Sequence, residues 1–473
     1  MLKGLTRETY DHFLSSCLKP WESSALLTLQ GEILSLRYET LSDVGTLPQA
    51  GRVALQYLKV GPGDLVVLND PFSGGNLLSN LTLIYGMEHE CSGLILVVRT
   101  GFRARLNLGE RLDEEGLRIP PTPLAQKGQW MEPLLQALVT HPDAPAGAEN
   151  RLRGLFTQMQ AMSQRLTPPT GDWTPYLNEC KQETLAFLAE IPHGETKVEQ
   201  RLAGGELLRL NIEVGSENVT FDFSGTSPSK KIGLTDAAVQ GACFGALVAY
   251  FQMNLGINES SFSMLQVSAP LGSWLNSKYP TPTFRGMTEG VHRVAHLVWQ
   301  ALTDLASQAS VAPSPSSPTW LSLQFADGQM FFDSLPVGVG AHLKSGGAAA
   351  LHLWVRSPIV NSVEQIESKF PIRILQAGPR KGSGGDGASR GGDGMVKVYE
   401  LLKPAYLQWI QSTLDVKGFK GGEGGQSSLV KINEPSKAQV LKSEVGALDL
   451  PAGTLIEVLT AGGGGYGKIR PPA

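Results

Sequence analysis

Histidine and cysteine are scarce in this chain, at eight and four among 473 residues. Cys17, Cys91, Cys180 and Cys243 stand far apart and form no CxxC pair, which reads as a reducing, cytoplasmic setting. The opening MLKGLTRETYDHF lacks the continuous apolar core of a secretory signal. No stretch reaches the roughly 18 to 20 unbroken apolar residues that a membrane helix needs, so no membrane partner is expected. An excess of one charge is also missing. Forty Lys and Arg stand against 44 Asp and Glu, and a net charge of −4 offers no field for a polyanion; nucleic acid is not an expected partner. The length leaves room for two or three domains.

What the chain does have is strand and helix patterning in alternating blocks. Ala25 to Leu34, Asp64 to Leu68, Leu81 to Tyr85 and Leu94 to Arg99 are short runs rich in Val, Leu and Ile, closed by Gly, Asp or Asn, and predict a buried sheet. From Glu149 onward, ENRLRGLFTQMQAMSQRL and YLNECKQETLAFLAEI space their apolar residues three and four apart, predicting two amphipathic helices broken at Pro168 and Pro169. ELLRLNIEV and NVTFDFSG return to strands. TDAAVQGACFGALVAYF then predicts a helix with Thr235 or Asp236 as N-cap. Its Ala237, Ala238, Gly241, Ala242, Gly245 and Ala246 let a neighbouring element approach the backbone closely. A further helix over MTEGVHRVAHLVWQALTDLA ends before the Pro- and Ser-rich SVAPSPSSPTW, and the last third is β-rich, with MVKVYELL and GTLIEVLT as strands.

Five local patterns invite a functional reading. AGGGGYGKI contains by letter count both a GxxxxGK from Gly462 to Lys468 and a GxGxxG from Gly462 to Gly467. A phosphate loop, however, needs a hydroxyl after the lysine and a helix N-terminus beyond it. Ile469 and the chain end at Ala473 supply neither, so no nucleotide cofactor is expected in this chain. Glu289, His292 and His296 would share one face of a regular helix, as a metal-ligating set or as the polar edge of an apolar helix. Asp222 and Ser224 in FDFSGTSP read first as a turn after a strand, with an acid and nucleophile as the alternative. Asn80, Asn218 and Asn258 begin glycosylation sequons that matter only in a secreted chain. Finally, NDPFSGGNLLSN, Asn69 to Asn80, places an acid and a paired-glycine turn after a strand, without a nearby histidine or second carboxylate.

The order of motifs carries more than any one of them. LNDPFSGG, EGLRIPP (Glu115 to Pro121), FDFSGTSP, NESSF with APLGSWLNSKYPTP, SKFPIRI, GSGGDGASRGGDG and the terminal GGGGYG together resemble the hydantoinase B/oxoprolinase family from about Leu34 to Gly467. The resemblance implies an A-type partner with an actin-like ATPase fold. That partner uses ATP to phosphorylate a poorly reactive amide or enol oxygen, and the B-type chain supplies the site where the activated substrate is hydrolysed or carboxylated. Phosphorylating the oxygen of a resonance-stabilised amide turns a poor electrophile into a good one. ATP is thus expected on the partner, and a second B-type subunit is a further possible companion.

Family members typically read N-D-P-Y-x-G-G-T-H-x-x-D, then S-R-x-H-H-x-D one strand later, with H-x-x-x-H-L-G upstream. These His and Asp residues are associated with a divalent metal. Here Asn69 and Asp70 remain, but Leu77 and Asn80 stand at the His and Asp positions of the first pattern. Gly101, Phe102 and Ala104 stand at those of the second, and ETLSDVG, Glu39 to Gly45, carries no histidine. The resemblance therefore implies a copy without the family's metal. Asp70, with Arg103 or Arg105 beside it, is the expected remnant of the site, a carboxylate offset by a cation, and the three are the catalytic candidates of a metal-free chemistry in which an arginine stabilises developing charge. The amino terminus is expected to lack most of the family's long opening helix.

These readings predict an α+β protein of several domains, with mixed sheets and central helices. Residues 1–140 form a β-rich domain carrying NDPFSGG and EGLRIPP, residues 141–310 a helical and mixed region with FDFSGTSP, and residues 311–473 a β-rich, glycine-containing region. The expected function is that of a B-type subunit in ATP-dependent opening of a cyclic amide such as a hydantoin or 5-oxoproline. A non-catalytic paralogue serving as scaffold or regulator is the alternative.

Overall fold

The computed structural model describes residues 7–102, 107–169, 171–202, 205–252, 255–306, 311–353 and 362–469. Helices and sheets are mixed along the chain, the α+β class expected from the sequence. The chain divides into two compact units, Met1–Lys197 with Arg209–Val294, and Val198–Leu208 with Ala295–Ala473. Among the described residues no helix is long and apolar enough to cross a membrane.

The first unit is built on a seven-stranded sheet of β1 (Ser23–Thr28), β2 (Ile33–Arg37), β3 (Leu65–Leu68), β4 (Asn80–Gly86), β5 (Leu94–Gly101), β6 (Thr122–Gln126) and β7 (Gln129–Trp130). Its spatial order is 2-1-5-4-3-6-7, with every neighbouring pair antiparallel. The run Ala25 to Leu34, expected as one strand, is a hairpin. Gly31 takes φ 85°, a left-handed turn conformation open to glycine, and Thr28 N–H donates to Glu32 O at 3.0 Å.

Both faces of the sheet are covered, which is why its strands read as continuous apolar runs rather than alternating ones. Leu26, Leu83, Tyr85, Leu96 and Val98 join Phe13, Phe156 and Trp173 in one apolar cluster. The alternate residues Leu27, Ile95 and Val97 face Gly51 of the helix Leu41–Leu58, where a Cβ would meet their side chains at 3.1 to 3.2 Å. By the two-residue period of a strand, Arg99 points to that same side.

The helix Leu41–Leu58 has no clear signal in the sequence, because Gly45, Pro48 and Gly51 all weaken it. Tertiary packing overrides that weakness. The small-residue helix expected near residue 235 runs Asp236–Tyr250 with Thr235 at its N-cap position, and its close neighbour is Leu41–Leu58. A Cβ at Gly45 would lie 1.7 Å from Ala237 O, and one at Gly241 would lie 2.3 Å from Leu41 O. The glycines that weaken the isolated helix are what allow two helix backbones to meet. The expected helices at Ala148–Arg165 and Thr174–Glu190 are present. The helix over MTEGVHRVAHLVWQALTDLA instead begins with a π-helical turn, Gly286–Gly290, before Val291–Leu305.

In the second unit two antiparallel sheets share a core. One has the order Met330–Leu335, Thr319–Phe325, Ala405–Ile410, Val445–Leu450; the other runs Ile372–Pro379, Met395–Leu401, Leu455–Leu459, Leu429–Asn433, Ala438–Leu441. Leu321, Leu323 and Leu407 from the first pack with Tyr399, Ile432 and Ile456 from the second, as in a β-sandwich. Beside them, glycine-rich segments around residues 338–347, 384–394, 418–425 and 462–467 lie backbone against backbone.

Candidate functional site

The NDPFSGG segment leaves β3 and turns at once. Asn69 Nδ2 donates to Leu78 O and Leu117 O, both at 2.9 Å, and its Oδ1 accepts from Ile119 N–H at 2.6 Å. The buried Asn69 thus stitches this motif to EGLRIPP. Asp70 caps the 3-10 turn Pro71–Ser73, accepting from Phe72 N–H at 3.2 Å and Ser73 Oγ at 2.9 Å. Among the described residues no cation pairs with it. Arg103 and Arg105, expected beside Asp70, lie outside the described residues, as does Ala104. Phe102 is buried in the apolar cluster of the first unit.

A buried cation and carboxylate do meet in this region, in a different pair. Arg99 on β5 and Asp43 in the first turn of Leu41–Leu58 form an ion pair at 2.5 Å, each side chain 4 % exposed. All five guanidinium N–H groups are used. Nη1 donates to Asp43 and to Thr46 Oγ1 at 2.8 Å; Nη2 donates to Gly74 O at 2.8 Å and Thr82 Oγ1 at 3.0 Å; Nε reaches Thr82 Oγ1 at 3.2 Å. Asp43 is equally committed. Its Oδ1 also accepts from Asn76 Nδ2 at 3.1 Å, and its Oδ2 from Ser23 Oγ at 2.7 Å and Thr40 N–H at 3.4 Å. Asn80 Nδ2 in turn donates to Asn76 Oδ1 at 3.1 Å. Burial pushes the Arg99 guanidinium below the ordinary arginine value, while Asp43 pulls it back.

The NDPFSGG turn therefore presents the Gly74 carbonyl to a guanidinium held in an oxygen cage. The paired glycines are needed for the fit: a Cβ at Gly74 would lie 2.3 Å from Ala50 N, and one at Gly75 would lie 2.0 Å from Asn69 O. Arg99 is the arginine of the S-R-x-H-H-x-D pattern, and Asp43 stands at the second histidine of H-x-x-x-H-L-G. Sequence reading overlooked the pair because it looked for missing ligands, not for an acid and a base 56 residues apart that could neutralise each other.

A divalent ion needs about four to six N or O donors, and the donors present do not fit one. Both oxygens of Asp43 are occupied, Asn76 and Asn80 bond each other, and a guanidinium stands among them. The Glu39 N–H donates to Ser23 Oγ at 2.9 Å, but its carboxylate has no hydrogen-bond or cation partner among the described residues; partial burial, with Glu22 and Asp43, lifts its pKa. Among the described residues no three His, Cys, Asp or Glu side chains are grouped to share an ion.

Glu115, the first residue of EGLRIPP, is a second buried carboxyl. It accepts from Phe284 N–H at 2.9 Å, Thr283 N–H at 3.2 Å and Thr283 Oγ1 at 3.4 Å. Burial still wins over these donors and pushes its pKa from 4.5 up to about 7. Between those values the folded chain holds a proton that the unfolded chain has lost, so stability falls as pH rises from about 4.5 to about 7 and has no further slope from this group above that. The loss is on the order of 3 kcal/mol. In urea titrations at a series of pH values, Glu115→Gln is expected to flatten that slope; an unchanged slope would assign the effect elsewhere.

The remaining motifs resolve into structure. Glu289 pairs with Arg285 at 2.8 Å and with Arg293, so its carboxylate is committed, and its π-helical turn breaks the regular spacing to His292 and His296. Asp222 Oδ1 accepts from Ser224 N–H at 2.9 Å, a local turn bond. In GGGGYGK six successive amides are spent on backbone carbonyls, Gly462 on Gln426, Gly463 on Gly392, Gly464 on Pro313, Gly465 on Glu423, Tyr466 on Ser389 and Gly467 on Phe419. Those six amides are not free to bind a phosphate.

The comparisons with known proteins agree with the ordered motifs. A sequence model of the hydantoinase B/oxoprolinase family matches residues 22–469. An uncharacterized protein of Methanocaldococcus jannaschii is 25 % identical, over 94 % of this chain and 84 % of its own length. 5-oxoprolinase 1 of Arabidopsis thaliana is 22 % identical over 94 % of this chain, which spans only 39 % of the plant protein. Among solved structures, the ATP-dependent caprolactamase from Pseudomonas jessenii superposes with a TM-score of 0.80 at 19 % identity, covering 98 % of this chain and 89 % of that one. That superposition speaks for the fold, and the family match for descent over nearly the whole length: this chain belongs to the hydantoinase B/oxoprolinase family.

Proposed function

We propose that this chain is a B-type subunit that works with an A-type ATPase in the opening of a cyclic amide, and that it supplies no metal chemistry of its own, serving as scaffold or regulator of the assembly. The observation that carries this reading is the Arg99–Asp43 cage. Segments that the family uses for metal-associated residues here converge on a guanidinium whose five donors and whose carboxylate partner are all satisfied. Removing metal ligands removes the Lewis acid and the activated water they would hold. 5-Oxoproline and caprolactam, the compounds in the names of two relatives, are both cyclic amides. The closed glycine segment at Gly462–Gly467 supports placing ATP on a partner.

Two measurements test the proposal together. The purified chain dialysed against manganese or zinc is expected to retain no stoichiometric metal, and capture of the tagged chain from its native source is expected to bring down an A-type ATPase. A full equivalent of metal lost on Asp43→Ala would overturn the non-catalytic reading. So would ATP-dependent ring opening by this chain with an A-type partner and no other B-type subunit.

A further inference from the structure

The second unit contains a cleft of about 480 Å³ whose lining lies wholly within that unit. Its walls are residues 296–304 of the Val291–Leu305 helix, residues 199–201 at the end of the Gly194–Arg201 strand, and two borders of the glycine-rich region, residues 311–316 and 414–419. The volume suits a small molecule. The glycine-rich border is held by backbone bonds, such as Gly464 N–H to Pro313 O at 3.0 Å and Phe419 N–H to Gly465 O at 2.9 Å, so this wall is formed before any ligand arrives.

Side chains of both charges line the cleft, Glu199 among them. Arg201 and Lys417 line it, as do Asp304 and Asp415, and among the described residues none of the four has a salt bridge or a side-chain hydrogen bond. Some other charged side chains are paired, as in Arg153 with Glu132 and Glu149, or Arg390 with Asp386 and Asp393. Here opposite charges share one small space without neutralising each other. Gln200 adds an independent sign. Its Oε1 is buried in the cleft wall and accepts no hydrogen bond among the described residues. A buried acceptor left in that condition costs about 1 to 3 kcal/mol. A ligand N–H would recover it. Phe419 and Val416 contribute an apolar surface for a short carbon chain.

We propose that this cleft binds a small zwitterion of the amino-acid class, its carboxylate taken by Arg201 and Lys417 and its ammonium by Asp304, Asp415 and the Gln200 carbonyl. A molecule carrying only one of the two charges would leave the other pair of side chains unmet, and a neutral ring would leave both. The site therefore distinguishes an open amino acid from the lactam formed by closing it, since ring closure removes both charges. The inference rests on the second unit alone and does not depend on how the Arg99–Asp43 cage is read.

Calorimetry on the full chain tests it with matched probes: 6-aminohexanoate, caprolactam, hexanoate and hexylamine, with glycine, glutamate and lysine to sample α-amino acids. At least one zwitterion is expected to bind, at least about tenfold more tightly than caprolactam, hexanoate and hexylamine, the equivalent of about 1.4 kcal/mol. Arg201→Ala with Lys417→Ala, and separately Asp304→Asn with Asp415→Asn, are each expected to weaken that binding about tenfold or more while the melting temperature stays that of the parent. Three results would each overturn the proposal: no zwitterion binds, caprolactam binds as well as 6-aminohexanoate, or both double variants bind as the parent does. An Asp43→Leu/Arg99→Met chain is expected to bind the zwitterion normally, which separates failure here from failure of the proposed function.

Discussion

Gly463→Ala is expected to prevent the second unit from folding. A Cβ at this position would lie 2.0 Å from Val339 O, 2.2 Å from Val339 C and 2.6 Å from Gly340 N, all backbone atoms that cannot swing aside as a side chain can. The φ of Gly463 is not in the left-handed region, so the obstacle is close approach rather than the dihedral. The surrounding ladder cannot open easily. Gly463 N–H donates to Gly392 O at 2.9 Å, its own carbonyl accepts from Gly385 N–H at 2.9 Å, and Gly392 N–H donates to Val339 O at 2.8 Å. Making room for a methyl group means breaking several such bonds and leaving buried polar groups unmet, at about 1 to 3 kcal/mol each. The sum is comparable with a net stability of roughly 5 to 15 kcal/mol. Collagen shows the same logic, where only glycine fits at a crowded axis. Gly378→Ala in the same unit is the control: nothing lies within 4 Å of its built Cβ, and its effect is expected within about 0.5 kcal/mol. Soluble yield and urea denaturation followed by tryptophan fluorescence read the difference. A Gly463→Ala chain as stable as the Gly378→Ala chain would refute the close packing described here.

Asp43→Ala is expected to destabilise the first unit by about 3 to 5 kcal/mol, because it leaves the Arg99 guanidinium buried without its counter-charge. The loss extends beyond the ion pair, since Asn76 Nδ2, Ser23 Oγ and Thr40 N–H all lose an acceptor. Charge neutralisation, not the bare presence of the pair, is what the fold needs. The double variant Asp43→Leu/Arg99→Met is therefore expected to recover much of the loss, as replacement of a buried pair by apolar residues of similar volume often does. A double-mutant cycle in urea measures the coupling. An Asp43→Ala chain with unchanged stability would mean that water or another group already screens Arg99, and the cage would lose its structural role.

Several features were legible before any coordinates because they are local. The helices at Ala148–Arg165 and Thr174–Glu190 follow from apolar spacing, and the small-residue face of Asp236–Tyr250 implied a close neighbour without naming it. The ordered Gly and Pro motifs carried the family. The helix Leu41–Leu58 was not legible, since propensity alone argues against Gly45, Pro48 and Gly51. With that helix hidden, so was Asp43. The GGGGYGK segment read as a failed phosphate loop, and only its neighbours show that six of its amides are bonded to carbonyls from three separate stretches of chain.

The sequence by itself determined the family, the α+β class and the departure from the metal-associated residues, because each is written in residue type and order along the chain. Only the tertiary structure decided what replaced that pattern. Asp43 and Arg99 lie 56 residues apart, on a helix and a strand whose facing sides depend on helix phase and strand parity together. Their pairing is stable because burial removes the water that would otherwise solvate each charge, and burial is a property of the packed unit, not of either segment alone.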